Sequence, residues 1–297
     1  MTDATPRHFL DLSEIPADTL KQILNHAHQL KRLKFSPPQI FEGLSLAMVF
    51  DKRSTRTRMS FEAAMKQLGG HTIVMNTQEM QITGAESVED TANVVSRFVD
   101  AVMIRMGDHE ALCEFAQHAK IPVINGLTDH SHPCQIMADL MTIEEKLGAL
   151  GGKKIVWYGD FNNVAYTFAQ AAPVWGFELL VSCPEDLRPL NAAYEPDAQK
   201  AAEGADVIVT DTWVSMGQEG KDIDKFWPYQ VNTALMTRAK PHAIFMHCMP
   251  IHRGEEVTDE VLATPASVIY DEAENRLHAQ KAILAWCLEH AGVKLSR

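Results

Sequence analysis

Cysteine is scarce and unpatterned in this 297-residue chain. There are five, at positions 113, 134, 183, 248 and 287, an odd number with no CxxC pair. That argues against a disulfide framework and fits a reducing compartment. Long apolar runs are missing too: no window approaches the roughly 18 uninterrupted apolar residues of a membrane span. The first residues, MTDATPRHFLDLSE, hold neither an apolar core nor an Arg-rich amphipathic pattern, so no leader is expected and the expected location is cytoplasmic. Positive charge is short, 27 Lys and Arg against 39 Asp and Glu, a net −12. Nucleic acid is therefore not expected as a partner, because binding a phosphate backbone needs a basic face. A few concentrated arginines still suffice for a small anion. Internal repeats and low-complexity tracts are absent.

What is present is an ordinary globular composition, 46% hydrophobic and 22% charged, at a length that suits two domains of roughly 150 residues. Short apolar runs read as strands at 44–50, 71–75, 100–105, 121–125, 153–159, 178–183, 205–211, 242–248 and 266–271. They lack polar alternation, as strands buried on both faces of a parallel sheet do. Helical patterns separate them at 15–33, 59–68, 87–98, 108–119, 133–147, 163–175, 257–263 and 274–290. The alternation predicts an α/β class, with two doubly wound parallel-sheet domains joined by interdomain helices. GALGGKK at 148–154 marks a break between the two sets. The expected domains are residues 1–132 and 133–273, with a C-terminal helix, about 274–297, returning to the first.

Ligands of open α/β sheets sit beyond the carboxyl ends of the strands, and four polar clusters follow strand ends. In FDKRSTRTRMSFEAAMKQL (50–68), Ser54, Thr55, Arg56 and Thr57 fall where a helix begins. Met59, Phe61, Met65 and Leu68 are expected to form its apolar face. Free N–H groups, the helix dipole, hydroxyls and arginine together suit a phosphate, without the glycines of a Walker A loop; a capped helix with solvated arginines is the plainer alternative. In INGLTDHSHPCQIMADLMTI (124–143), His130, His132 and Cys134 have metal-ligand spacing, whereas His132, Pro133 and Gln135 suit a pocket at a helix start. In ADVIVTDTWVSMGQE (205–219), Asp211 ends a strand and can hold an ammonium, and Ser215-Met216-Gly217 follows in a loop. GDFNNVAY (159–166) places Asn162 and Asn163 at a helix start, as carboxylate donors or as caps; it lacks GxGxxG, so a dinucleotide is not supported. In FMHCMPIHRGEEV (245–257), Cys248 is a nucleophile, a polar contact or a buried thiol. His247, Cys248 and His252 also resemble a metal set, but a continuing strand would point His247 and Cys248 to opposite faces.

STRTR, HPCQ, DTWVSMG and HCMP, in this order and at these intervals, resemble the aspartate/ornithine carbamoyltransferase family. NN, SMG and HCMP with HRGEEV are similar to its ornithine-using branch. The resemblance continues through VEDTANVVSRFVDAVMIR (88–105) and NRLHAQKAI (275–283) and covers nearly the whole chain. It implies a carbamoyl-phosphate-binding and an ornithine-binding domain, and a homotrimer with active sites at subunit interfaces. It implies no cofactor and no metal, and a reaction that carbamoylates the δ-amine of ornithine, in arginine biosynthesis. Residue by residue, it implies that Ser54, Thr55, Arg56 and Thr57 bind phosphate, with Gln81, Cys248, Met249 and Arg276 as further carbamoyl-phosphate contacts. Arg105, His132 and Gln135 would hold the carbamoyl group, with Arg105, His132 and Cys248 catalytic. Asn163, Asp211, Ser215 and Met216 would form the ornithine site, with the SMG loop as its lid. The chain departs from the family pattern in QITGAE (81–86), where Thr83, Gly84 and Ala85 replace a glycine and a basic residue. It also has Met249 where leucine is usual and Phe161 where glycine is usual.

Overall fold

A computed structural model of the chain describes residues 6–52, 54–77, 87–214, 220 and 222–290. The chain divides into two compact units, Met1–Ala138 with Glu274–Arg297, and Asp139–Ala273.

The first unit is built on four strands, β1 (Ser45–Phe50), β2 (His71–Asn76), β3 (Ala101–Arg105) and β4 (Val123–Leu127). All are parallel, in the order β2-β1-β3-β4. Parallel neighbours need crossovers, here α2 (Thr55–Gln67), α3 (Val88–Val95) and α4 (His109–His118), after α1 (Ala17–Arg32). Two of these helices begin at a side-chain cap. Ser87 and Asp108 accept hydrogen bonds from the first-turn N–H groups of α3 and α4. Both faces of β1 are buried: Ala47 and Val49 pack with Val102, Ile104 and Phe115, while Leu46, Met48 and Phe50 are buried on the other side. Each of these side chains larger than alanine contributes about 1.5–3 kcal/mol.

The second unit repeats the scheme with five parallel strands, β5 (Lys154–Tyr158), β6 (Glu178–Ser182), β7 (Ala193–Tyr194), β8 (Val207–Thr210) and β9 (Ile244–Met246), in the order β7-β6-β5-β8-β9. Its helices include α6 (Asn163–Trp175) and the short α7 (Ala198–Ala202), α8 (Thr233–Met236) and α9 (Asp259–Leu262). Val156, Tyr158, Ile208 and Phe245 centre its core. The division between units falls within α5 (Pro133–Leu147) and at the foot of α10 (Ile269–His290).

Three readings of the sequence need correction. The run at 266–271 is not a strand. Only Ser267 bridges to Phe245, through two hydrogen bonds along the outer edge of β9, and α10 begins at Ile269. Phe9 does the same along β4, so a single bridge covers the last strand of each sheet. β2 is not buried on both faces; it is an edge strand with Ile73 about half exposed. Met59 is not on the apolar face of α2. It is 66% exposed, whereas Phe61, Ala64, Met65 and Leu68 are fully buried at the 3–4 residue spacing of a helix.

α10 is buried around nearly its whole circumference, polar residues included. His278 is wholly buried, and that burial, with Lys281, Lys31 and Lys34 nearby, outweighs Glu274 and pulls its pKa from 6.5 down to about 4. Below pH 6.5 the unfolded chain therefore takes up a proton that the fold refuses until about pH 4, and stability falls as pH drops through that window. His278→Gln is expected to flatten this acid-side loss. Urea midpoints at several pH values across the window check it, and an unchanged slope in the variant would place the acid sensitivity elsewhere.

Candidate active site

The strand order reverses once in each sheet, between β1 and β3 in the first unit and between β5 and β8 in the second. Loops leaving such neighbours diverge and open a crevice at the carboxyl ends. Two of the four sequence clusters lie at these places, after β1 and after β5 and β8; the other two follow the outer strands β4 and β9.

In the first unit, β1 ends at Phe50, paired with Arg105 at the end of β3. Ser54 is the extended residue before α2, yet its side chain makes no capping bond. The plain capped-helix reading therefore does not hold, and the first turn of α2, with Thr55, Arg56 and Thr57, keeps its N–H groups for an anion. Thr57 is buried, and its Oγ1 accepts from Arg105 Nη1 and from Arg276 Nη2, each at 2.9 Å. With both lone pairs engaged, the Thr57 proton is available to donate. Arg276 Nη1 also donates to Gln135 Oε1 at 2.6 Å. Two guanidinium groups are thus held within a few ångströms of each other by neutral acceptors. His132, buried in the same unit, has its pKa pushed well down by burial and by Arg276 and Arg105. It is a neutral imidazole, a donor or acceptor rather than an acid.

Arg105 is aimed by a bulge. Ile104 pairs with Asn125, but Arg105 pairs with Leu127, so Gly126 is the extra residue. A Cβ at Gly126 would stand 3.2 Å from the Ile104 carbonyl oxygen, 3.3 Å from Arg105 Cβ, and against Met103 Sδ.

In the second unit, Asp211 follows β8 and is nearly buried. Asn162 Nδ2 donates to its Oδ2 at 2.7 Å and the Cys248 thiol donates to Oδ1 at 3.2 Å. Asn162 also caps α6, accepting from Val164 and Ala165 N–H, so one side chain fixes both helix and carboxylate. Asn163 is half-buried in the first turn beside it. Burial and the charges of Asp211, Glu272 and Asp139 push the Cys248 thiol well above its usual range. It stays protonated as a donor, and the nucleophile reading is corrected accordingly. Met249, half-buried, has φ +62 and precedes a cis peptide to Pro250. His247 Nδ1 accepts from Met249 N–H, so Nε2 carries the proton and donates to Glu256 Oε1 at 3.1 Å.

The metal-like triplets do not assemble as spaced in the sequence. Cys134 is buried with its thiol pushed up to about 12 and donates to the Asn125 carbonyl. His130 instead faces Asp11. His252 lies with Glu255 and Glu256. The strand-face argument against His247 and Cys248 also fails, because β9 stops at Met246 and their ligating atoms lie with those of Asp211, within 4.8 Å of one another. Gln81, Thr83, Gly84, Ala85, Ser215 and Met216 lie outside the described residues. The brace that Asn162 gives Asp211, and those of His247, of Glu256 and of Glu272, which accepts from the His247 N–H at 2.9 Å, were missed. Asn162 and His247 do follow strand ends, but Glu256 lies in the turn before α9 and Glu272 within α10, where nothing local marks them.

Residues 7–145 match the family description "Aspartate/ornithine carbamoyltransferase, carbamoyl-P binding domain", and residues 151–287 match its "Asp/Orn binding domain". The chain is 51% identical to an ornithine carbamoyltransferase of Brucella abortus, over 97% of both chains. It is 50% identical to that of Bradyrhizobium diazoefficiens, over 96% of this chain and 98% of the relative. Among solved structures, the ornithine carbamoyltransferase of Pyrococcus furiosus superposes with a TM-score of 0.91 at 46% identity, covering 96% of this chain and 98% of that one. The Thermus thermophilus enzyme gives 0.89 at 38% identity, over 95% and 99%.

Gly126→Ala is expected to cost about 1–3 kcal/mol of stability through overpacking, and to weaken inorganic phosphate binding by displacing Arg105. Calorimetry with phosphate and a denaturant titration separate the two effects. Unchanged phosphate affinity in a folded variant would show that the bulge does not aim Arg105.

Proposed function

The chain belongs to the aspartate/ornithine carbamoyltransferase family, and from that premise we propose that it transfers the carbamoyl group of carbamoyl phosphate to the δ-amine of L-ornithine, giving L-citrulline and phosphate. The convergence of Arg105 and Arg276 on the Thr57 hydroxyl is the observation that carries the reading. Two cations held together by a neutral group favour a dianion, and a phosphate that is also a leaving group gains most from them as its charge grows.

The residues take these roles. Ser54, Thr55, Arg56 and Thr57 receive the phosphate oxygens, with Arg105 and Arg276 completing the cradle. Gln81 and Met249 are assigned as further contacts on the family resemblance alone. His132, held neutral by burial and by its cationic neighbours, gives a hydrogen bond to the carbonyl oxygen, alongside Arg105 and Thr57. The amide oxygen of Gln135 is engaged by Arg276, so its amide nitrogen is the atom it offers the carbamoyl group. The neutral δ-amine attacks the carbonyl carbon. A C–N bond forms, the oxyanion collapses, the C–O bond to phosphate breaks, and the amine proton leaves with the phosphate. Orienting the two reactants for attack is worth up to about 7–11 kcal/mol in ideal cases.

Asp211 anchors the α-ammonium of ornithine. Neither of its donors, Asn162 and the Cys248 thiol, is charged, so its negative charge is left for the substrate. Asn163, in the first turn of α6, is assigned to the α-carboxylate on the family resemblance. Ser215 and Met216 complete the site by resemblance. An N-acylated ornithine has no α-ammonium and would leave Asp211 without a counter-charge, which disfavours that rival substrate. The family resemblance also supports a homotrimer, a cytoplasmic location and a place in arginine biosynthesis; a solution mass of three chains checks the first.

The direct test is citrulline and phosphate release, with ornithine compared against putrescine and N-acyl-ornithine. A preference for either rival would overturn the substrate assignment. Arg56→Ala is expected to weaken carbamoyl-phosphate binding by about 10- to 100-fold, the worth of one charge-assisted hydrogen bond. Asp211→Asn is expected to raise the KM for ornithine by about 30-fold or more, the lower end of the cost of breaking a buried charge pair, and to leave carbamoyl-phosphate affinity unchanged. Equal losses for both substrates would show that Asp211 is structural.

A further inference from the structure

We propose that Asp11, His109 and His130 form a binding site for a borderline divalent cation, Zn²⁺ foremost, on the first unit and apart from the reacting groups. The three come from distant parts of the chain. Asp11 lies in the segment just after the Phe9 bridge to β4, His109 opens α4, and His130 lies in the loop after β4. Their ligating atoms all lie within 4.8 Å of one another, with His130 Nε2 at 3.6 Å from Asp11 Oδ2. Tetrahedral donors at about 2.0–2.1 Å from Zn²⁺ stand roughly 3.3 Å apart, so small rotations of two side chains close the set.

The surroundings prepare each ligand. Asp11 is 3% exposed, and its Oδ1 accepts from Ser13 N–H at 3.0 Å and Ser13 Oγ at 3.1 Å, which leaves Oδ2 toward His130. His109 Nδ1 lies 2.9 Å from Thr128 Oγ1. When Thr128 donates to the Ser131 carbonyl and accepts from Nδ1–H, Nε2 of His109 is the unprotonated nitrogen, the tautomer a metal needs. The two imidazoles lie 4.6 Å apart, centre to centre, tilted by 38°. His130 is 45% exposed and gives access from solvent. Two imidazoles and one carboxylate, with a fourth position for water, suit Zn²⁺ or its neighbours Co²⁺ and Ni²⁺ rather than Ca²⁺ or Mg²⁺.

The site has a mechanical consequence. A bound cation ties the Asp11 segment to the loop Thr128–Ser131, and the next residue is His132.

Calorimetric titration of the chelator-treated full chain with Zn²⁺ is expected to show a site that His109→Ala/His130→Ala abolishes. Asp11→Asn, which keeps the shape, is expected to weaken it by at least the roughly 10- to 100-fold that loss of even an outer-sphere partner costs. Zn²⁺ should raise the melting temperature of the parent and not of the double variant, in proportion to occupancy. Far-UV circular dichroism without metal confirms that the variants fold, and Co²⁺ absorption in the visible range reports the tetrahedral geometry independently. Zn²⁺ affinity unchanged in both variants would place binding elsewhere, for example at Asp211, His247 and Cys248, and overturn the assignment. So would the absence of Zn²⁺ binding to the parent.

Discussion

A parallel strand cannot hand the chain to its neighbour by a hairpin, and the rest of the molecule follows from that constraint. Every strand but the last of each sheet is followed by a crossover, and all the strands of a sheet open their carboxyl ends at the same edge. Where the order reverses, two crossovers leave in opposite directions and the edge is left uncovered. Each unit has one such place. β1 and β3 present Ser54–Thr57 and Arg105 there; β5 and β8 present Asn162–Asn163 and Asp211. The chemistry is placed by topology before any side chain is chosen.

The side chains then sort charge. The first unit keeps cations: Arg105 and Arg276 share the Thr57 hydroxyl, and their field with burial holds His132 neutral. The second unit keeps an anion: Asp211 is braced by an amide and a thiol, and its field helps hold that thiol protonated. In both, burial, reinforced by the neighbouring charge, holds a titratable side chain in its neutral form. A neutral histidine donates without competing for the substrate's proton, and a protonated cysteine orients a carboxylate without attacking the substrate.

Glycine and bulge geometry add a finer control. Gly126 lets β4 carry one residue more than β3 beside Arg105, and the tight approach of the Ile104 carbonyl explains why a side chain is not accommodated there. The requirement is local backbone geometry, which a run such as IPVINGL does not reveal.

Much was legible in the sequence because it is encoded locally. Unbroken apolar runs such as SLAMVF announced strands buried on two faces. The 3–4 spacing of Phe61, Met65 and Leu68 announced the inner face of α2, and Asn162 announced a helix start, because caps act within one turn. The family motifs located most of the candidate site for the same reason, each being a short stretch after one strand. What the sequence could not decide was adjacency. Met59 looked apolar enough for the core but lies on the wrong side of the turn. The run at 266–271 has strand composition, yet a single bridge exhausts its pairing before α10 begins. His130, spaced like a partner of His132 and Cys134, faces Asp11, more than a hundred residues away along the chain. Arg276 meets Thr57 across an even longer separation. Local propensity acts over a few residues and reads directly from the chain; contacts between distant residues depend on strand order and crossover packing, which only the folded sheet decides.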